Sequence, residues 1–148
     1  MKLSTRSTYG VRAMLALALQ PHGTGPLMVK DIAEQQKLPA TYLEQLMVLL
    51  RKAGLVTATR GAHGGYVLAR PAAEITLAEI IEVLEGPLNL TDCPSGAGCC
   101  GHPESCALYG LWQRASQSLI DVFGNVTLAA LAEEQRARES GTILMYSI

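Results

Sequence analysis

Cys93, Cys99, Cys100 and Cys106 fall within fourteen residues, and the other 134 positions hold no cysteine. Thiols placed for packing alone scatter along a chain, so a cluster implies a shared task. The stretch Asp92-Cys-Pro-Ser-Gly-Ala-Gly-Cys-Cys-Gly-His-Pro103 is rich in Gly, Pro and Ser. That is the composition of a loop, and a loop can wrap thiolates around a metal centre. The first spacing is C-x5-C, followed by x6 from Cys99 or x5 from Cys100 to Cys106. No C-x2-C pair of the kind that frames zinc sites is present. Wide single spacings in a glycine-rich loop suit an iron–sulfur cluster better, because its several metal atoms span more room than one ion.

Other uses of the same thiols are weighed against this one. A structural disulfide suits small secreted chains, but Met1 runs straight into Lys-Leu-Ser-Thr-Arg without the apolar stretch of a secretory leader. The expected compartment is therefore the cytoplasm, where structural disulfides are rare. A metal-free sensor that answers oxidants by disulfide chemistry is the main alternative. Enzymatic readings, a thiol oxidoreductase or a cluster carrier, are remote: the chain has no redox C-x-x-C, no phosphate-cradling glycine loop and no compact Ser/His/Asp constellation. The expectation is that the protein is not an enzyme. His22, His63 and His102 sit in loops, where a lone histidine is usually solvated.

A chain of 148 residues with 49% apolar content can form one core. No apolar run approaches the ~18–20 residues that span a bilayer, so no membrane partner is expected. The net charge of −1 hides a division. Residues 1–70 carry nine cations against three acids, whereas residues 71–148 carry three arginines against ten acids. A basic N-terminal half can lie near a polyanion while the acidic half stays away.

The elements that would position these residues are legible in part. Thr5 to Leu19 reads as a core helix, apolar on most sides and stopped by Pro21, Gly23, Gly25 and Pro26. Val29 to Gln36 reads as a short helix without a capping residue. After a turn at Lys37-Leu38, Pro39 opens another helix, in which Leu43, Leu46, Met47 and Leu50 share the inward face. Thr41, Tyr42, Glu44, Gln45, Val48, Arg51 and Lys52 are left outward. Helix, tight turn and helix with an exposed polar face form the helix-turn-helix arrangement, whose second helix enters the major groove. Two short β-type runs, Leu55–Thr59 and Tyr66–Ala69, flank Arg60-Gly-Ala-His-Gly-Gly65 and predict an exposed hairpin, or wing. Arg60 at its base could enter the narrow, negative minor groove.

Thr76-x-x-Glu79 is a capping box that opens a helix ended by Gly86-Pro87. After the cysteine loop, a longer helix beginning near Glu104 carries Leu108, Leu111, Trp112, Ala115, Leu119, Val122 and Phe123 on one stripe, with Ile120 off it. Such a stripe calls for a cover, and a second copy of the chain is the economical one. Thr127 caps a last helix, Leu128 to about Arg138, before the tail Ser140–Ile148. The expected fold is mainly α with a small β-wing: a winged helix-turn-helix domain (1–86), a cysteine-rich cluster-binding loop (87–106), and a long dimerisation helix with a C-terminal helix and tail (107–148).

In this order the motifs resemble the iron–sulfur winged-helix transcriptional regulators of the IscR/NsrR/CymR-like family. The resemblance runs through Met1-Lys-Leu-Ser-Thr with Tyr9-Gly-Val, Tyr42-Leu-Glu-Gln-Leu46 and Leu50-Arg-Lys-Ala-Gly-Leu-Val56. It continues in Arg60-Gly-Ala-His-Gly-Gly-Tyr66, Ile75-Thr-Leu-Ala-Glu-Ile80, the cysteine loop, Leu111-Trp112 and Thr127-Leu-Ala. It implies a homodimeric regulator of transcription on a palindromic double-stranded DNA operator, as repressor or activator, tuned by an iron–sulfur cluster that responds to oxygen or nitric oxide. The implied cluster is [2Fe-2S], with [4Fe-4S] as the alternative. Cys93, Cys99 and Cys106 would be its ligands, with Cys100 the alternative to Cys99. The implied DNA-binding residues are Thr41, Tyr42, Glu44, Gln45, Arg51, Lys52 and Arg60. In the iron–sulfur regulator a histidine three residues after the last cysteine completes the ligand shell. Tyr109 stands there in this chain, so the fourth ligand is open among Tyr109, His102, the spare cysteine and a group from the partner subunit's first helix.

Overall fold

A computed structural model of the protein describes residues 3–21, 23–91 and 106–141. Ser4 begins it as the N-cap of α1 (Thr5–Leu19), where its hydroxyl accepts the Ser7 N–H. Ala13 and Met14 of α1 are wholly buried. Gly10 lies where a side chain would collide with Leu84, since an added Cβ would sit 2.1 Å from a Leu84 methyl. This missing side chain lets α1 lie close against α4 (Leu77–Glu85).

Helices α2 (Val29–Gln36) and α3 (Ala40–Lys52) follow. The expected face of α3 is inward: Leu43, Leu46, Met47 and Leu50 are each at most 1% exposed. Full burial of such a side chain is worth ~1.5–3 kcal/mol, which fixes the roll of α3 and thereby the side it presents to solvent. Val48 departs from expectation, half-buried at the margin of that inward face rather than fully outward.

Strands β1 (Val56–Thr59) and β2 (Gly65–Leu68) pair antiparallel, with Val56 opposite Leu68 and Thr59 opposite Gly65. Leu27 adds a third, one-residue rung: its N–H donates to Tyr66 O at 3.0 Å and its carbonyl accepts the Tyr66 N–H at 2.8 Å. A single extended residue carries no periodic signal, so nothing in the sequence announced this rung. A 3-10 turn, Ala72–Glu74, leads to α4, whose capping box forms as the Thr76-x-x-Glu79 pattern requires.

Helix α5 (Ala107–Gly124) is the longest, and α6 (Leu128–Glu139) is capped by Thr127. The expected start of α5 near Glu104 and the tail beyond Gly141 lie outside the described residues. Helix α6 returns to the N-terminal half. The Leu128 N–H bonds to Ile75 O at 2.8 Å, Arg136 donates to Ala18 O at 3.0 Å, and Leu128 is buried in the same core as α1. The main core thus draws on both ends of the chain. The expected mainly helical winged-helix architecture is the observed one. No helix among the described residues is long and apolar enough to cross a membrane.

The single stripe expected on α5 is in fact two. A helix turns about 100° per residue, so Tyr109, Trp112, Ser116, Ile120 and Phe123 form one line. Leu108, Leu111, Ala115, Leu119 and Val122 form the adjacent one. Ile120 and Phe123 pack with Ala78 and Ile81 of α4 and with Leu88. Leu108, Leu111 and Val122 are 55%, 45% and 59% exposed. Phe123 therefore belongs to the inward line and Ile120 joins it, both contrary to the sequence pattern. With eighteen apolar-rich residues, two neighbouring faces merge into one broad stripe when read without a partner.

Candidate nucleic-acid interface and cysteine loop

Because the apolar side of α3 is locked into the core, its opposite side is solvent-facing. Thr41, Glu44, Gln45, Arg51 and Lys52 are all exposed. Arg51 and Lys52 occupy the last turn, where the negative end of the helix dipole favours cations. Tyr42 differs. It is half-buried and meets Tyr9 of α1 edge-to-face, with ring centroids 6.0 Å apart and planes at 76°. Its ring braces α3 against α1, a role the sequence pattern did not disclose.

The wing is shaped by glycines for steric reasons. A Cβ on Gly64 would lie 2.4 Å from Thr59 O, and one on Gly65 would lie 2.5 Å from Leu27 O. Both distances are closer than any side chain tolerates. Gly64 closes the turn by donating its N–H to Gly61 O at 2.9 Å. Arg60, Ala62 and His63 are the residues between the strands that carry side chains, and all three are exposed. An exposed polar helix face next to an exposed, cation-bearing hairpin can meet a groove and a backbone of one polyanion together.

Cys93, Cys99, Cys100 and His102 lie outside the described residues, but both ends of their loop are placed. On the entry side Leu88 is buried, and the Leu90 N–H donates to Ser116 Oγ at 3.0 Å. The next residue, Thr91, has a buried hydroxyl with no partner among the described residues. On the exit side Cys106 is the N-cap of α5, partly exposed and in no disulfide among the described residues, with no capping hydrogen bond from its side chain. Ser116 and Cys106 are ten residues apart on one helix, about 15 Å at 1.5 Å per residue. The loop therefore leaves the middle of α5 and returns to its tip.

Tyr109 is one turn beyond Cys106, its N–H bonded to Cys106 O at 3.1 Å, and its phenol oxygen accepts from Gln113 Nε2 at 3.0 Å. Among the described residues no three potential metal ligands converge. The donor set of this loop, soft thiolates led by a half-exposed Cys106 at a helix N-terminus, fits an iron–sulfur cluster chemically. Ser116 was missed in the sequence. The available signal was a lone hydroxyl within an otherwise apolar line of α5.

Two carboxylates strengthen the joints around α4. Glu79 accepts from the Thr76 N–H at 2.9 Å and pairs with Arg70 at 2.6 Å. The Thr76 backbone bond, supported by Arg70 and the Thr76 hydroxyl, outweighs partial burial and holds the Glu79 carboxyl below its ordinary range. Glu85 is likewise lowered, chiefly by its bonds to Ser4, which tie the start of α1 to the end of α4.

Residues 3–134 match the Rrf2 family, described as iron-dependent transcriptional regulators. IscR of Klebsiella pneumoniae, an HTH-type transcriptional regulator, is 38% identical over 135 residues, covering 91% of this chain and 82% of that protein. Among solved structures, CymR, the global cysteine regulator of B. subtilis, superposes with a TM-score of 0.77 at 40% identity, covering 90% of this chain and 98% of that one. The IscR of T. potens superposes at 0.76 with 40% identity, covering 99% and 95%. The fold, the helix-turn-helix with its wing and these relatives agree: the chain belongs to the Rrf2 family of transcriptional regulators.

Proposed function

We propose that this regulator works as a homodimer that binds a palindromic operator in double-stranded DNA in the cytoplasm, with its affinity or site choice tuned by an iron–sulfur cluster. The observation that carries this reading is the exposed side of α3, with Thr41, Glu44 and Gln45 toward its N-terminal end, beside the Arg60 wing in the basic half of the chain. In the major groove Gln45 would bond an adenine edge bidentately, Glu44 would accept from a cytosine amine, and Thr41 would reach either. Arg51 and Lys52 would hold phosphates, and Arg60 would enter the minor groove. Tyr42 would offer only its hydroxyl edge, since its ring rests on Tyr9. None of these roles is enzymatic.

The outward line of α5 would meet its copy about a two-fold axis, the symmetry that a palindromic site matches. Residues 1–86 would form the DNA-binding domain, 87–106 the cluster loop, and 107–148 the dimerisation element, with α6 folded back as a brace. Cys93, Cys99 (or Cys100) and Cys106 would hold a [2Fe-2S] or [4Fe-4S] cluster, with Tyr109 or His102 as candidates for the fourth position. When bound, the cluster would supply a redox-active centre that oxidants can oxidise. The protein's own part is mechanical: Ser116 and Cys106 tie both ends of the loop to α5, so loop rearrangement reaches the helix that pairs the subunits. A metal-free disulfide sensor is the second reading, supported by the partly exposed Cys106 thiol at a helix N-terminus.

Anaerobic purification separates the two. Brown protein containing iron and sulfide is expected, and Cys93→Ala and Cys106→Ala should each give folded, colourless protein with altered DNA binding. Of Cys99→Ala and Cys100→Ala only one should bleach, Cys99→Ala being expected. If none of the proteins carries iron, or all keep their colour, the cluster reading fails and the disulfide sensor replaces it.

A further inference from the structure

Lys37, in the turn of the helix-turn-helix, has φ 54° and ψ 50°, and every other described residue with positive φ is glycine. In this left-handed conformation the Cβ of an L-residue crowds the following carbonyl, which glycine avoids. Turns of this motif often contain glycine for that reason. The conformation itself is required by the fold: the Lys37 N–H bonds to Glu34 O at 3.2 Å, and the Leu38 N–H bonds to Ala33 O at 2.8 Å, closing α2. The side chain is not.

The natural structural use of a lysine here would be to neutralise the C-terminal carbonyls of α2. Arg12 already does so, donating to the Gln36 carbonyl and, at 3.3 Å, to its side-chain oxygen. The Lys37 ammonium is exposed and makes no hydrogen bond or ion pair among the described residues. Nothing among the described residues uses it. Three residues separate it from Thr41, near the start of α3, and the N-terminal residues of a recognition helix are those that reach base edges. A cation just ahead of them stands at the rim of the groove, where the phosphates are.

We propose that Lys37 is a DNA-phosphate contact at the entrance of the recognition helix, held in a backbone conformation that the fold alone would fill with glycine. This rests on the DNA-binding reading above. Lys37→Gly, Lys37→Asn and Lys37→Arg test it in the full-length dimer, with thermal unfolding and anisotropy on selected and random duplexes between about 50 and 300 mM salt. Lys37→Gly should raise Tm by roughly 1–4 °C. It should also weaken binding to both duplexes by roughly tenfold and flatten the plot of log affinity against log salt by about 0.9 per subunit. Lys37→Asn should show the same direction in both measurements, and Lys37→Arg should bind as the parent does. Unchanged affinity and slope in Lys37→Gly overturns the assignment, and so does a lowered Tm, which would make the lysine part of the fold. A parent protein whose affinity for duplex DNA is insensitive to salt would instead remove the DNA-binding reading itself.

Discussion

The Leu90 N–H donates to Ser116 Oγ at 3.0 Å, joining residues 26 positions apart and pinning the entry of the cysteine loop to the middle of α5. Ser116 is 4% exposed and the bond is partly buried, so loss of its acceptor would leave a partly sheltered N–H unsatisfied. Ser116→Ala should lower stability by about 1–3 kcal/mol in denaturant unfolding. It should also speed hydrogen exchange at Leu90 while leaving exchange in α1 and α3 unchanged at matched global stability. Equal acceleration everywhere would mean that the bond is part of the general core and not a local anchor.

The two lines of α5 make different predictions, one for association and one for folding. Leu111→Asp places a charge on the outward line, where the monomer leaves it in water, so the fold should survive and sedimentation should show monomers. The charge would be costly only in a covered seam. Phe123→Ala, on the inward line against Ala78, Ile81 and Leu88, should lower unfolding stability by about 2–4 kcal/mol. An unaltered dimer in Leu111→Asp would remove the outward line from the subunit interface.

Glu79 links acid stability to the α4 capping box. Its folded pKa lies below the ordinary carboxylate value, so its contribution is fully present above the unfolded pKa of about 4.3 and is lost as pH falls through the lowered folded value. The Arg70 and Glu79 side chains are 36% and 40% exposed, so solvent screening keeps the effect small. Glu79→Gln should be less stable than the parent by about 0.5–1 kcal/mol at pH 7, with the gap closing below pH ~4. A gap that is constant over that range would show that the charge plays no part.

The elements legible in the sequence are those whose signals are local and repeated. Leu43, Leu46, Met47 and Leu50 define one face of α3 through spacing alone. Thr76 and Glu79 define a cap because both partners lie within one turn. Gly64 and Gly65 mark the hairpin, although the close approaches that require them involve Thr59 and Leu27. What stayed hidden depends on contacts distant in sequence. The Leu27 rung is one residue long, and the return of α6 rests on Leu128 meeting Ile75 and Arg136 meeting Ala18. The division of the α5 stripe appears only when α4 covers Ile120 and Phe123. In the candidate interface, residue types and exposure on α3 were legible, while the Tyr9 brace under Tyr42 and the left-handed Lys37 were not. A ring contact and a backbone angle have no signature in composition or spacing.

The most direct test is sequence selection on DNA. Duplexes bound by the parent protein should be enriched from a random pool, and the enriched site should be palindromic. Anisotropy then compares the parent and Gln45→Ala on that site and on random duplex. Gln45→Ala should lose about 1–3 kcal/mol on the selected site, relax the preference at one position in each half-site, and bind random duplex as the parent does. No enrichment, or equal losses on selected and random DNA, would contradict base reading from the exposed side of α3.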